Sequence, residues 1–264
     1  MNGGPWMDEG LCRRHIERMS GGSRLALVAE LDGAVCAEAE VYLGEEPPPF
    51  GRNLNLSVLY TRRGFTGFGI GTALMRSVFD LARERCCETL SVSSASAPDF
   101  YSRFGLARWQ RWASLTLTGL PRNTVYQRAA CELAPASLPA GWGIALGGIG
   151  SAAQMWDRLD PDERPVPAEA PVQHPMAFDF TARSGRERAR VVLEPRLHAP
   201  SVPTVYLWTP EGRLTPRLWA ALRDCAAHLG FGEIHTWANR ERPGDVPAGA
   251  RWGEEAREVW GFRL

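Results

Sequence analysis

Between residues 66 and 71 the chain reads Thr66-Gly67-Phe68-Gly69-Ile70-Gly71, followed by Thr72-Ala73-Leu74-Met75. Glycines at alternate positions just before a helical pattern leave several backbone N–H groups without intrahelical acceptors, at the positive end of the helix dipole. They also permit left-handed dihedrals and a close approach of an anion to the backbone. The chemistry offered is phosphate binding. The spacing is Gly-x-Gly-x-Gly, not the Gly-x-Gly-x-x-Gly of dinucleotide-binding folds, and no acidic residue ends the next strand of a βαβ unit. A Walker loop needs lysine, and the chain has none. On this motif alone, a tight strand-to-helix connection remains an alternative.

Further along, Ser94, Ala97 and Tyr101 fall at regular spacing, followed by Phe104-Gly105-Leu106. Tyr101 is a phenol that could act as a general acid, or a core aromatic in a short helix. The strand preceding the glycine loop, Asn53-Leu54-Asn55-Leu56-Ser57-Val58, contains no carboxylate. Glu38 and Glu40 alternate onto one face of an earlier strand. Glu40 is the candidate base, with a solvated strand carboxylate as the plain alternative. The five histidines have no metal-ligand spacing, so no metal site is expected.

These residues need elements to hold them. A helix is expected over Pro5–Met19, then strands Leu25–Leu31 and Ala34–Leu43 joined by Asp32-Gly33, a strong hairpin signal. Strand Leu54–Thr61 runs into the glycine loop. A helix from Gly69 to Cys86, strand Glu88–Ser93, a short helix Pro98–Phe104 and two strands within Ala107–Thr118 follow. In the second half we expect strands at Trp142–Leu146, Arg188–Leu197, Val202–Trp208, Glu233–Trp237 and Glu258–Leu264. Helices are expected at Ser151–Leu159 and Thr215–Leu229, with a proline-rich loop over Pro161–Pro175.

Composition narrows the class. With 30 basic and 30 acidic residues there is no basic excess for a nucleic-acid partner. No apolar run approaches the ~20 residues needed to span a bilayer, and no secretory signal pattern opens the chain. Six cysteines without regular spacing fit reduced usage. A soluble, cytoplasmic protein is expected, with neither nucleic acid nor membrane as partner.

The halves look related. Leu59-Tyr60-Thr61-Arg62-Arg63-Gly64 matches Leu207-Trp208-Thr209-Pro210-Glu211-Gly212, and Ala107-Arg108-Trp109 matches Ala250-Arg251-Trp252. Thr215, Arg217 and Trp219 then stand where the first half has Gly67, Gly69 and Gly71. Side chains there are expected to take the space of a phosphate, leaving one site in the chain.

The order of elements, the glycine loop and the later Ser94/Ala97/Tyr101 spacing resemble the GNAT superfamily of N-acetyltransferases. Its signature is Arg/Gln-x-x-Gly-x-Gly/Ala, with Thr66 here in place of Arg or Gln. A second family pattern is Asn-x-x-Ala-x-x-x-Tyr, with Ser94 in place of Asn. The resemblance covers residues 5 to 118, except that the family's opening strand has no counterpart in Met1–Gly4. Either that strand is missing or another segment fills its place.

The resemblance implies a mixed α/β fold of two GNAT-like domains, each a mostly antiparallel sheet flanked by helices. Residues 1–125 would be the catalytic domain and 126–264 a degenerate copy lacking the pyrophosphate loop. The cofactor implied is acetyl-CoA (coenzyme A), held by Thr66, Gly67, Phe68, Gly69, Ile70, Gly71, Thr72, Ser94 and Ala97. The backbone of Tyr60, Thr61 and Arg62 would meet the pantetheine arm. The reaction implied is direct attack of a small-molecule or peptide amine on the thioester, with Tyr101 as acid and Glu40 as base. A silent acyl-CoA-binding module is the other reading, and monomer or homodimer remains open.

Overall fold

The computed structural model describes residues 17, 19, 22–93, 95–118, 126–128, 138–158, 176–182, 187–196, 199–242 and 246–264. The expected helix over Pro5–Met19 lies largely outside these residues, and the Pro161–Pro175 loop and Ser94 lie wholly outside them.

The first described elements are strands β1 (Arg24–Leu31) and β2 (Ala34–Glu46). Asp32 and Gly33, both at positive φ (51° and 78°), close this hairpin as its sequence requires. Strand β3 (Gly51–Thr61), helix α1 (Ile70–Glu84), strand β4 (Thr89–Ser93), helix α2 (Pro98–Ser102) and strand β5 (Ala107–Thr118) complete the first half. The second half contains β6 (Tyr126–Arg128), β7 (Gly143–Leu146), α3 (Ala152–Arg158), β8 (Met176–Ala182), β9 (Arg188–Arg196), β10 (Ala199–Thr209), α4 (Pro216–His228), β11 (Glu233–Asn239) and β12 (Arg251–Arg263).

All described strands join one mixed, mostly antiparallel sheet, in the order β1-β2-β3-β4-β12-β5-β11-β10-β9-β8-β6, with β7 paired to β10. The C-terminal strand β12 thus lies between β4 and β5 of the first half. In turn, β5 lies between β12 and β11. The described sheet ends at β1, with no strand beyond it, so nothing among the described residues replaces the family's opening strand.

Two expectations are corrected. Residues 107–118 form one continuous strand, not two. The run holds no Gly, Pro or Asn to turn on, and β5 is paired along both edges. The last strand begins at Arg251, earlier than its apolar end suggested, because it pairs with β5 from there on, with β4 joining at Val259.

Helix α1 presents Leu74, Met75, Val78, Phe79 and Ala82 as one buried stripe. It packs on Leu54, Leu56, Leu90 and Val92 of β3 and β4. Each large side chain so buried contributes about 2 kcal/mol. Helix α4 covers Leu115, Leu117, Val205, Leu207 and Ile234 in the same way. Alternation along β5 and β12 sets these two cores on the same sheet face. The opposite face carries a third cluster, in which Ala152 and Met155 of α3 meet Trp112, Tyr206, Trp208 and Val259.

Candidate functional site

The glycine loop and the start of α1 form a bare helix terminus. Gly67 and Gly69 lie at φ 87° and 78°, where a side chain would be strained. A Cβ at either would meet nothing within 4 Å, so the space before the backbone is open. Gly69 is the N-cap, in a left-handed conformation, with no side-chain cap and no acidic residue in the first turn. The helical ladder begins at the bond from the Ala73 N–H to the Gly69 carbonyl (2.9 Å). The N–H groups of Ile70, Gly71 and Thr72 therefore have no acceptor within the helix. Phe68 stands at the tip, 74% exposed. Gly71 sits against Thr61 and Phe100, which ties the helix start to the end of β3 and to α2.

Beneath this terminus β3 and β4 part. Their parallel pairing runs from Asn53/Thr89 to Leu56/Val92 and stops, while β3 continues to Thr61 alongside β2. Glu40 pairs with Val58 and Val41 with Leu56, so Ser57 is an extra residue, a bulge at the point of separation. Beyond it, the Arg62 N–H donates to the Cys36 carbonyl at 2.8 Å. Backbone groups alternate sides along a strand. Leu59 and Thr61 therefore turn theirs to the gap, and Tyr60, like Arg62, turns its own to β2. Of the three residues expected to meet a pantetheine arm through the backbone, Thr61 is the one so turned.

On the face away from α1 this strand pair is polar although buried. Asn53, Asn55, Thr89 and Ser91 are each 1% exposed. Asn53 Nδ2 and Asn55 Nδ2 both donate to Ser91 Oγ at 2.9 Å, and Asn55 Nδ2 also donates to Ser93 Oγ at 3.0 Å. At the lower end Asn53 Nδ2 donates to Glu46 Oε1 at 3.2 Å. Burial pushes the Glu46 carboxyl up to about 7, against the opposing effect of the Asn53 and Ala152 N–H donors. At the upper end Gln154 Nε2 of α3 donates to Ser57 Oγ at the bulge, 2.6 Å. The sequence expectations passed over Glu46. The one signal pointing to this face was the alternation Asn53-x-Asn55-x-Ser57 beside Thr89-x-Ser91-x-Ser93.

Tyr101 is buried among the α1-side residues, edge-on to Phe100 at 5.2 Å between centroids. Burial raises its phenol above the ordinary tyrosine value, so it stays protonated and able to donate. Ala97 is the exposed N-cap of α2. Glu40 is half-buried on the face away from α1. It lies near Tyr42, whose phenol is pushed up to about 12 by burial, then by Glu40 and Asp157, with Arg24 opposing. Arg24 and Asp157 form an ion pair at 2.6 Å. No group of three or more possible metal ligands occurs among the described residues.

The second half repeats the order strand, helix, strand in β10, α4 and β11, but its helix start is closed. Thr215 caps α4 by accepting from the Leu218 N–H (3.2 Å), and Pro216 follows in the first turn. The Glu187 carboxylate accepts from the Thr215 hydroxyl at 2.6 Å, bringing negative charge where an anion would sit. Trp219 is buried in the core, whereas Arg217 points to solvent and fills nothing. Here β10 and β11 share one pair, Thr204/His235. Above it β7 pairs with residues 207–209 of β10, and Gly147 donates to the Trp237 carbonyl of β11 (2.8 Å). A strand of the chain therefore lies in the second gap. No described strand occupies the first.

Two strands thus part at a bulge beneath an uncapped helix start. Residues 4–106 match the model of the Acetyltransferase (GNAT) family. Among solved structures, the chain is similar over 97% of its length to GCN5-related N-acetyltransferases from Kribbella flavida (TM-score 0.58, 13% identity) and Anabaena variabilis (0.60, 9% identity). It spans 63% and 66% of those chains. Eis1 from Mycobacterium abscessus is similar over 98% of this chain and 72% of its own (TM-score 0.52, 15% identity). At these identities the likeness is one of fold. No curated protein matches the chain.

Proposed function

We propose that the protein is an acetyl-CoA-dependent N-acetyltransferase with one cofactor site, in its first half. The carrying observation is the gap opened at Leu56/Val92 directly below the bare start of α1. The pyrophosphate would bind the loop amides from Gly67 to Thr72, and the pantetheine arm would lie along Leu59 and Thr61 in the gap. The acceptor is a small-molecule or peptide amine that reaches the thioester from the Asn–Ser face. Its nitrogen attacks the acetyl carbon, the C–S bond breaks, and Tyr101 protonates the departing thiolate. A backbone N–H at the bulge end of β3 would stabilise the tetrahedral oxyanion. Glu40, opposite Val58 beside the bulge, is one carboxylate on the acceptor's face.

The second half is a degenerate repeat that walls the acceptor's side. Its closed gap and the Thr215/Glu187 cap support that role.

The test is thiol release from acetyl-CoA with phenethylamine, cadaverine and a tripeptide bearing a free α-amino group, alongside calorimetric binding of acetyl-CoA. Transfer to at least one amine is expected. Tight binding with no transfer to any would point instead to a silent acyl-CoA-binding module.

A further inference from the structure

On the polar face of the sheet, a cavity of about 40 Å³ separates the two halves. At the roughly 10–15 Å³ that a water needs, it has room for about three or four. The sheet lines it with Glu46, Asn53, Asn55, Ser91, Gln110 and Trp112. From the second half come the Gly143–Ile144 start of β7, Ser151, Glu211 and Arg242. Two of these residues fix its position relative to the chemistry. Asn55 immediately precedes Leu56, and Ser91 immediately precedes Val92, the last pair before the strands part. The cavity therefore runs from just below the gap to Glu46, at the far end of the same strand pair.

The polar part of the lining, Glu46, Asn53, Asn55 and Ser91, can order water, while Phe50, Trp112, Ile144 and Val259 close its sides. Asn53 and Asn55 donate four hydrogen bonds, to Glu46, Ser91 and Ser93, and their Oδ1 atoms accept from the Thr89 and Ser93 hydroxyls. Their amides cannot ferry a proton, but their oxygens and the serine hydroxyls can orient waters that do. Glu46 is the carboxylate at the closed end. Its neighbour Glu45 faces away, paired with Arg52 at 3.0 Å, and Glu40 lies farther along β2 beside the Arg24–Asp157 pair. The other charged groups on the cavity are Glu211 and Arg242, of opposite sign.

We infer that Glu46 is the proton acceptor for the attacking amine, reached through the waters of this cavity. The inference rests on the acetyltransferase reading above. The step is R–NH3⁺ + Glu46–COO⁻ → R–NH2 + Glu46–COOH, after which the neutral amine attacks the thioester. Forming the C–N bond releases a second proton, which leaves through the water file to solvent as the C–S bond breaks and the thiolate takes the Tyr101 proton. Tyr101 then regains a proton from solvent, and Glu46 returns its proton to solvent, before the next turnover. A carboxyl that burial holds near neutrality suits this task, being ionised often enough to accept and basic enough to retain a proton. Cofactor and proton thereby use opposite faces of the sheet.

The experiment is kcat/KM for thiol release, from about pH 5 to about 9, with the best of the three amines named above. Wild-type protein is expected to lose activity on the acid side with an apparent pKa near 7. Glu46→Gln removes that limb and lowers neutral activity roughly 10²-fold. Its deficit shrinks at higher pH, where solution itself supplies neutral amine, and acetyl-CoA affinity by calorimetry is unchanged. A misfolded variant would show neither recovery nor binding. Glu46→Asp restores a shifted limb. Persistence of the limb in Glu46→Gln, or its loss in Glu40→Gln instead, overturns the inference and leaves the acetyltransferase reading intact. Absence of transfer by wild-type protein to any of the three amines overturns both.

Discussion

Tyr101 and Glu46 are both titratable groups moved upward by burial, with opposite consequences. The phenol is held protonated, which suits a donor to a thiolate. Tyr101→Phe keeps the ring and removes the proton, so kcat should fall by about 10²-fold with acetyl-CoA affinity unchanged. Thiol-release kinetics beside calorimetry check both parts. For Glu46 the folded value of about 7 lies above the ordinary carboxyl value of 4.5. The folded state then binds a proton that the unfolded state releases, so wild-type stability falls as pH rises from about 4.5 to about 7 and is level above. The loss is on the order of 3 kcal/mol. Glu46→Gln carries no charge, so the variant should match wild type near pH 5 and exceed its melting temperature at pH 8, in paired thermal scans. The spacing after Ala97 singled out Tyr101 in the sequence. Glu46 was not singled out, because Glu45-Glu46-Pro47-Pro48-Pro49 has the pattern of a solvated turn. It accepts from the Ala152 backbone and shares its cavity with Gly143, about a hundred residues on, which no local pattern reveals.

Two helix starts in one sheet differ in a way that separates ligand binding from stability. That of α1 is uncapped and fronted by open space. That of α4 has its own hydroxyl cap and a carboxylate beside it. Gly69→Val forces a β-branched residue to φ 78°, a strain of about 1–2 kcal/mol, and projects its side chain into the phosphate space. Acetyl-CoA affinity should fall more than about tenfold, the effect of losing roughly 1.4 kcal/mol. Thr215→Ala should cost about 1 kcal/mol of stability and leave that affinity untouched. Calorimetry and denaturant unfolding of both variants decide the contrast. The first half's elements were readable because Asp32-Gly33, the glycine loop and the α1 stripe are local signals. The loss of glycines in the second half was legible too, but not its physical form. Arg217 is solvent-exposed, and closure comes from Glu187 and from β7, segments remote in sequence from Thr215.

At the scale of the molecule, the halves exchange strands. Matching Ala107-Arg108-Trp109 with Ala250-Arg251-Trp252 makes Ala113 and Ala256 equivalents, and these two residues are partners in the β5/β12 ladder. Matching Leu59–Gly64 with Leu207–Gly212 makes Leu56 and Thr204 equivalents, and each is the last residue of its strand paired before the gap. Both relations fit a duplicated unit folded about a local two-fold axis, with β12 lodged beside β4 and β5 beside β11. No sequence pattern announces such an exchange, because each strand reads the same whichever half it joins. It has a consequence for any attempt to isolate residues 1–125. Without β12, the edges of β4 and β5 that face it lose their partner, Val92 and Leu90 lose Trp260 and Phe262 across the ladder, and Phe79 loses its edge contact with Phe262. Unpaired central edges of this kind favour aggregation. Residues 1–125 expressed alone should therefore fail to give a monomeric, cooperatively melting species and should bind no acetyl-CoA. Adding a peptide of residues 251–264 in trans should recover part of the binding, because that strand completes the sheet between β4 and β5. Size-exclusion chromatography with calorimetry checks this, and a stable, acetyl-CoA-binding fragment lacking β12 would show that the exchange is dispensable.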